Sequence, residues 1–495
     1  MIKLQNLEFW FITGSQHLYG PETLKQVAEH SKVMVEKLNQ DPSIPYTIVF
    51  KPIVTTPDEI TNVLVEANAH RNCAGIITWM HTFSPSKMWI AGLSQLNKPY
   101  LHLHTQFNRQ LPWNEIDMDF MNLNQSAHGD REHGFIGSRM RMPRKVIAGH
   151  WEDARVRERI ASWQRTAAAF IYGRQLKVVR FGDNMREVAV TEGDKVETQI
   201  KLGWSVNTYA VGDLAAEVNK VTEPEVDVLV SEYKEKYDIA PEAQSGEKFE
   251  AIREQARIQL GIQAILDKVG AGAFTTTFED LHGLKQLPGL AAQDLMSRGY
   301  GFSGEGDWKT SALTNVMKVM ADNKGTSFME DYTYHLVPGE EMILGAHMLE
   351  VCPTIAATKP RIEVHPLSIG GKADPARLVF NGAAGHAVCA SLIDMGGRMR
   401  LVIAEVEAVQ PSIDMPKLPV ARVLWKPEPS LEVGAEAWIY AGGAHHTVFS
   451  TVVTSEQLID WADMAGIEYV LINKDTTIPN LRKELLWNDI AWKLK

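Results

Sequence analysis

Short runs of β-branched and aromatic residues alternate with helix-like segments through the first third of the sequence. We predict strands at residues 8–13, 46–54, 74–80 and 99–104, and helices that begin near Pro21 and cover 57–69 and 85–95. Alternation of this kind is typical of a parallel sheet with helices on both faces. The sequence therefore predicts an α/β domain at residues 1–175.

The same alternation resumes after a long helix predicted at residues 152–169. In that helix Val156, Ile160 and Trp163 recur at steps of three and four, as one buried face requires. Further strands are predicted at 177–181 and 273–278, with helices near 213–218 and 249–269. We therefore expect a second α/β domain at residues 176–325.

The last third of the sequence has a different residue pattern. Short β-rich stretches at 361–369, 387–392 and 399–406 are separated by glycine and proline residues. Helices are predicted at 455–464 and 480–487. This pattern favours a β-barrel or a sandwich at residues 326–495.

Charge and cysteine content limit the classes of partner. The formal net charge of −11 repels phosphate backbones and anionic membrane surfaces, so we expect neither nucleic acid nor membrane as a partner. One basic run, Arg139, Arg141, Arg144 and Lys145, is read as a solvated or inter-subunit surface, with phosphate binding as the alternative. The three cysteines form no C-x-x-C pair, and Glu8 interrupts the apolar N-terminal run. We expect a protein of the reducing cytoplasm.

Polar and aromatic clusters follow several predicted strands, where an open α/β sheet places its ligand crevice. The clusters are Gln16 to Tyr19, His81 to Phe83, His104 to Gln106, Asn184 to Glu187 and Thr276 to Glu279. The first βα turn lacks the three glycines of a dinucleotide-binding turn. Amides, hydroxyls and aromatic faces suit a polyhydroxylated ligand. Each cluster taken alone can equally be a loop cap or a core contact.

Carboxylates and histidines of the second half form a candidate metal site. Glu305 lies between two glycines, which let other groups approach it closely. Glu330, His347 and the pair His445 and His446 follow. Carboxylate oxygens with one or two imidazoles suit Mn²⁺ and leave positions open for substrate oxygens. The alternative is a set of ion pairs and hydrogen-bonded histidines near turns.

Many long strings resemble the L-arabinose isomerase family. They occur in one order along nearly the whole chain: GSQHLYGPE, HTFSPSKMW, HTQFN, DMDFMNLNQSAHG, FGDNMREVAVT, TTTFEDLHGLKQLPGL, GEGDWKT, TSFMEDYTYH, HMLEVCP, IGGKADPAR and GGAHHTVFS. The resemblance implies an α/β fold of two Rossmann-like parallel-sheet domains followed by a β-barrel-like C-terminal domain. It also implies a homo-oligomer, a hexamer of paired trimers with a tetramer as the alternative, and active sites at subunit interfaces.

The resemblance further implies a set of site residues. It assigns one Mn²⁺ per subunit, with Co²⁺ as a substitute, to Glu305, Glu330, His347 and His446, and leaves His445 out. The sugar pocket that it implies consists of Gln16, Leu18, Phe83, Gln125, His128, Met185, Thr276, Phe278 and Ile369.

An aldose–ketose isomerase must move a poorly acidic proton from C2 to C1 of its sugar. In the family Glu305 and Glu330 serve both as metal ligands and as the acid/base pair, and which of them is the base stays open. The expected substrate is L-arabinose, with D-galactose as a side activity. The alternatives are an isomerase of another sugar, such as L-fucose, and a sugar-binding protein without catalysis.

Overall fold

The structure is a computed structural model that describes Leu4 and residues 6–367 and 371–494. The chain divides into two compact units, the first of which ends at Ile171 and the second of which runs from Tyr172 onward. Among the described helices, none is long and apolar enough to cross a membrane. The division into domains at 1–175, 176–325 and 326–495 stays a prediction.

The first unit contains a five-stranded parallel sheet with the order β2-β1-β3-β4-β5. Its strands are β1 Glu8–Gly14, β2 Thr47–Phe50, β3 Cys73–Met80, β4 Tyr100–His104 and β5 Lys145–Ala148. Its helices are α1 Gly20–Gln40, α2 Pro57–Ala69, α3 Ile90–Leu93, α4 Met118–Leu123, α5 Ser126–Arg139 and α6 Ala154–Gly173, which crosses the division. Strand β3 is buried along its whole length, as a central parallel strand requires.

Some elements of this unit differ from the prediction. In place of a helix at 85–95 a 3₁₀ turn, Ser86–Trp89, leads into the four-residue α3. Helices α4 and α5 and strand β5 are not predicted from the sequence. Helix α5 reads SAHGDREHGFIGSR, so polar residues and glycines occupy positions where an apolar stripe would mark a helix.

The second unit begins with a four-stranded parallel sheet of order β10-β9-β6-β7. The strands are β6 Lys177–Phe181, β7 Ser205–Tyr209, β9 Ala273–Thr276 and β10 Gly301–Ser303. The helices are α7 Lys195–Leu202, α8 Val211–Lys220, α9 Glu223–Lys236, α10 Gly246–Val269, α11 Gly289–Ser297 and α12 Trp308–Met320. Both parallel sheets confirm the predicted α/β class.

A mostly antiparallel sheet follows in the same unit. Its strands are β11 Thr326–His335, β12 Met342–Ala346, β15 Gly385–Asp394, β16 Met399–Val409, β17 Arg422–Pro427, β18 His446–Ser450 and β19 Glu468–Ile472. Because β15 pairs with both β18 and β16, six strands close into a barrel, and β19 adds to β16 in parallel. The barrel confirms the predicted β-rich region.

A small third sheet and three helices complete the unit. Strands β8 Asp238–Ile239, β13 Arg361–Val364 and β14 Ala376–Val379 form the sheet, and the helices are α13 Leu431–Ala441, α14 Ser455–Ala465 and α15 Ile478–Lys493. Tyr233 of α9 and Ile252 of α10 share one apolar core with Met329 and Val402 of the barrel. The helices of the middle region therefore pack on the barrel, which explains why residues from Tyr172 onward form one unit.

Candidate metal centre

Glu305 lies on a left-handed turn between β10 and α12. Its φ of 58° is unusual for a residue with a side chain. The Gly306 amide donates to the Thr276 carbonyl at 3.0 Å, and the Met185 amide donates to the Glu305 carbonyl at 2.9 Å. These hydrogen bonds hold the backbone in a conformation that it would not adopt alone. The carboxylate thereby lies beside His445 and His446.

Strand register brings the other candidate ligands to the same place. Glu330 on β11 pairs directly with His446 on β18, and on its other side with Ala346 on β12, immediately before His347. The His446 Nε2 is 3.7 Å from Glu305 Oε2, and the His347 Nε2 is 4.0 Å from Glu330 Oε2. Gly304 leaves room for the imidazole of His347, because a Cβ there would lie 3.0 Å from its Cε1. The structure thus gathers all four predicted ligands.

Each of the two predicted histidine ligands is oriented by a carboxylate. His446 donates from Nδ1 to Asp307 Oδ2 at 3.1 Å, and His347 donates from Nδ1 to Glu350 Oε2 at 2.5 Å. With the proton on Nδ1, the Nε2 of each ring carries a lone pair. The buried His446 Nε2 has no hydrogen-bond partner in the described part of the chain. Carboxylate–histidine pairs with a free imidazole nitrogen are typical of metal sites.

The electrostatics keep the acidic groups charged. The hydrogen bond from His445 lowers the pKa of Glu305 against the effect of burial, and His446 adds to this shift. Burial opposes ionisation of Asp307, but Lys309 and His446 outweigh it and hold the pKa of Asp307 well below its usual range. Burial also opposes a charge on His347, yet Glu350 raises the pKa of that imidazole overall. The site is therefore rich in negative charge that a cation would neutralise.

A cavity of about 180 Å³ opens beside these groups. Glu305, Glu330 and His347 line it, together with Thr276 and Phe278, which the sequence predicts for the sugar pocket. Met185, also predicted, contacts the Glu305 loop through the backbone hydrogen bond described above. The cavity thus combines carboxylates, an imidazole, a hydroxyl and an aromatic face.

Five other predicted pocket residues cluster in the first unit. Gln125 donates to the Tyr19 hydroxyl at 3.1 Å and its Oε1 lies 3.2 Å from His128 Nδ1. The rings of Phe83 and His128 lie 4.8 Å apart, and Leu18 is 80% exposed. Gln16, half-buried, lies shortly after the end of β1 and shortly before Leu18. The ninth predicted residue, Ile369, lies outside the described residues.

Comparison with known proteins gives the family. Three family models match the chain: the L-arabinose isomerase N-terminal domain at residues 3–175, the central domain at 177–323 and the C-terminal domain at 325–468. The L-arabinose isomerase of Geobacillus stearothermophilus is 68% identical over 494 residues, 100% of each chain. Those of Halalkalibacterium halodurans and Clostridium beijerinckii are 61% and 60% identical, again over 100% of each chain.

The chain belongs to the L-arabinose isomerase family. Membership makes it an aldose–ketose isomerase, as the resemblance of its sequence strings implied. Glu305, Glu330 and His347 of this family member line one cavity.

Three residues of this family member's site were not selected from its sequence. His445, left out of the ligand set, has its Nε2 3.2 Å from Glu305 Oε2 and groups with Glu305 and His446 as possible metal ligands. Asp307 and Glu350 orient the two other imidazoles. A local signal existed for both carboxylates, because Asp307 is two residues from Glu305 and Glu350 is three from His347.

Proposed function

We propose that this protein interconverts L-arabinose and L-ribulose, and D-galactose and D-tagatose as a side activity, with the aid of one Mn²⁺ held by Glu305, Glu330, His347 and His446. Family membership supports the sugar assignment. The single structural observation that supports the metal is the buried His446 Nε2, which has no hydrogen-bond partner among the described residues, lies close to Glu305 and belongs to a ring aligned by Asp307. Co²⁺ has the same preference for mixed oxygen and nitrogen ligands and can substitute.

The residues present fit a divalent cation. Two carboxylates supply oxygen ligands, and two imidazoles oriented by Asp307 and Glu350 supply nitrogen ligands. Bound there, such an ion would act as a Lewis acid that makes the C2 proton of the sugar more acidic.

The proton transfers are assigned to the two glutamates. A general base takes the proton from C2 and returns it to C1, while a second group moves a proton between O1 and O2. The lowered pKa of Glu305 keeps its carboxylate ionised, as either a base or a ligand must be. Both carboxylates line one cavity, so each can reach the same bound sugar. We assign the pair to both roles together.

Sugar binding is assigned to nine residues, some of which reach in from an adjacent subunit: Gln16, Leu18, Phe83, Gln125, His128, Met185, Thr276, Phe278 and Ile369. The exposure of Leu18 and the polar contacts of Gln125 and His128 support a ligand-facing role for the cluster in the first unit. We therefore propose a homo-oligomer, a hexamer with a tetramer as the alternative. We further propose that the enzyme acts in the cytoplasm and catalyses the first step of L-arabinose catabolism. D-Galactose adds one substituent, which a pocket discriminates by only about 1–3 kcal/mol.

The test is a set of parallel incubations of the purified protein with Mn²⁺. L-Arabinose should yield L-ribulose, D-galactose should react more slowly, and L-fucose should not react. Glu305→Gln and Glu330→Gln should each lower kcat by about 10²- to 10⁴-fold, the usual contribution of base catalysis. Glu340→Gln, at a glutamate whose side chain is 71% exposed, is the matched control. A glutamine variant with wild-type kcat and bound metal would remove that glutamate from the mechanism.

A further inference from the structure

Loop 182–187, between β6 and α7, packs directly on the turn that carries Glu305. A Cβ on Gly306 would lie 2.4 Å from the Asp183 carbonyl oxygen and 2.6 Å from the Asn184 Cα, so the two backbones are in contact. The Met185 amide closes the same contact by donating to the Glu305 carbonyl at 2.9 Å. Any movement of this loop must therefore move the Glu305 turn.

The buried side chain of Asn184 bridges the turn to a third segment. Its Nδ2 donates to the Gly306 carbonyl at 3.2 Å and to the Thr191 carbonyl at 2.7 Å. Thr191 belongs to a short turn that Lys309 also holds, since its Nζ donates to the carbonyls of Val190 and Thr191. Both hydrogens of the amide are thus used on backbone carbonyls.

Arg180 determines which way this amide faces. The Arg180 guanidinium is buried, with 7% of the residue exposed, and it donates to Asn184 Oδ1. A guanidinium can only donate, so the amide oxygen must face Arg180 and the NH₂ group must face the carbonyls. Arg180 is itself fixed by two hydrogen bonds to Thr208 Oγ1, at 3.2 and 2.9 Å, and by the Asp183 carboxylate at 2.9 Å.

We propose that Asn184 and Arg180 are positioning residues for Glu305, which hold its left-handed turn so that the carboxylate meets the histidines. A residue other than glycine keeps a positive φ only where contacts with its surroundings hold its backbone in that conformation. The amide bridge on Gly306 and the Met185 hydrogen bond supply that constraint on both sides of the Glu305–Gly306 peptide. The inference rests on the function proposed above, because it concerns the orientation of Glu305, a proposed metal ligand.

Asn184→Asp is the sharpest test, since it keeps the shape and the contact to Arg180 but replaces both N–H donors with an oxygen. That oxygen would face two carbonyl oxygens, so the bridge should open. Mn²⁺ affinity of the full-length protein, measured from the electron paramagnetic resonance signal of free Mn²⁺, should fall about 10- to 100-fold. The kcat for L-arabinose should fall by up to about 10²-fold, with a smaller change in KM. The orientation of the Glu305 carboxylate affects the energy of the transition state more than the binding of the sugar.

Arg180→Lys keeps the charge but loses the planar fork, and should give a smaller change of the same kind. Asn315→Asp is the matched control, a buried asparagine of α12 whose Nδ2 donates to the Gly299 carbonyl, outside the Glu305 turn. It should leave Mn²⁺ affinity and kcat near wild type even if it lowers thermal stability. Should Asn184→Asp fail to fold, Arg180→Lys decides the proposal by itself.

Amide hydrogen exchange tests the positioning role independently of the proposed function. The amides of Met185 and Gly306 should exchange faster in Asn184→Asp than in wild type without any metal present, because both report on the Glu305 turn. A wild-type protein that neither binds Mn²⁺ nor isomerises a sugar would end the proposed function, whereas exchange would still report on the bridge. Unchanged exchange, Mn²⁺ affinity and kcat in Asn184→Asp would overturn the positioning role.

Discussion

Two adjacent side chains on β11, Glu330 and Asp331, meet opposite surroundings because successive strand residues point to opposite faces. Glu330 lines the cavity of the candidate metal centre. Asp331 instead lines a second, largely apolar cavity of about 240 Å³ at the barrel, with Trp425 and Trp438. Its Oδ1 is buried and has no hydrogen-bond partner within the described residues. Burial raises the pKa of Asp331 to about 7.

Asp331→Asn should therefore change how stability depends on pH. Unfolded, Asp331 ionises near its ordinary pKa of 3.8, but in the fold its pKa is about 7, so folding takes up a proton between these values. As pH rises through that window, this residue lowers the free energy of unfolding of the wild-type protein. Asparagine does not ionise, so the Asp331→Asn variant does not lose this stability. The stability difference in favour of Asp331→Asn should grow by about 1.4 kcal/mol per pH unit and level off above about pH 7.

Thermal unfolding without metal, followed across this pH range, measures the difference. Asp322→Asn is the control, because the side chain of Asp322 is 82% exposed. Parallel pH profiles for wild type and Asp331→Asn would show that the carboxyl ionises normally in the fold.

The predictability of the site also varies from residue to residue. Glu305 was accessible from its flanking glycines. Glu330, His347 and the pair His445 and His446 were candidates by residue type, and the resemblance chose the ligands among them. The orienting roles of Asp307 and Glu350 were not accessible. Asp307 meets His446 from a distant part of the chain, and Glu350, three residues from His347, reaches it only for particular backbone geometries. Arg180 and Asn184 gave still less signal, because their partners lie on other elements and are mainly backbone carbonyls, which every residue carries.

At the level of elements, the turn between β10 and α12 depends on glycine at position 306. Gly306 has a φ of 72°, and a Cβ there would meet the backbone of loop 182–187, which cannot rotate away. Gly306→Ala should displace the turn, lower kcat by at least about 10²-fold and weaken Mn²⁺ binding. Steady-state kinetics and Mn²⁺ titration provide the measurement.

Gly466→Ala is the control that shows the effect of backbone strain without a steric clash of the new Cβ. Gly466, at the C-terminus of α14, has a φ of 63°, and its Cβ would meet no described atom within 4 Å. This control should lose about 1 kcal/mol of stability through the left-handed conformation and keep its activity. Equal activity in the two alanine variants would show that the contact with loop 182–187 is unimportant.

Elements were predictable where hydrophobic periodicity was strong and failed where another interaction formed them. Strands β1 and β3 are buried runs and were found from sequence. Helix α5 lacks such a stripe, but it buries Asp130 and His133 in hydrogen bonds with His102 and Tyr100 of β4. The two-residue β8 exists because it pairs with β13, more than a hundred positions later. Neither kind of partner is visible in local sequence.

At the scale of the whole molecule, the strand pairing that builds the barrel also brings the proposed metal ligands together. Glu330 and His446 face each other because β11 pairs with β18, and His347 is positioned because β12 pairs with β11. Glu305 comes from the parallel sheet, which belongs to the same compact unit. A cation that binds all four groups therefore binds only the folded unit, and its binding free energy must add to the stability of that unit.

Mn²⁺ should accordingly raise the thermal unfolding temperature of the protein, and EDTA should reverse the change. At a free concentration of about 100 times Kd the gain is about 2.7 kcal/mol. His446→Ala should lose most of this gain, because it removes a proposed ligand, the buried imidazole nitrogen. The comparison variant is His104→Ala, in the first unit, where His102, His104 and Asp130 form another group able to hold an ion. If the gain disappears in His104→Ala and persists in His446→Ala, the stabilising ion binds in the first unit, and the proposed metal centre must be abandoned as its site.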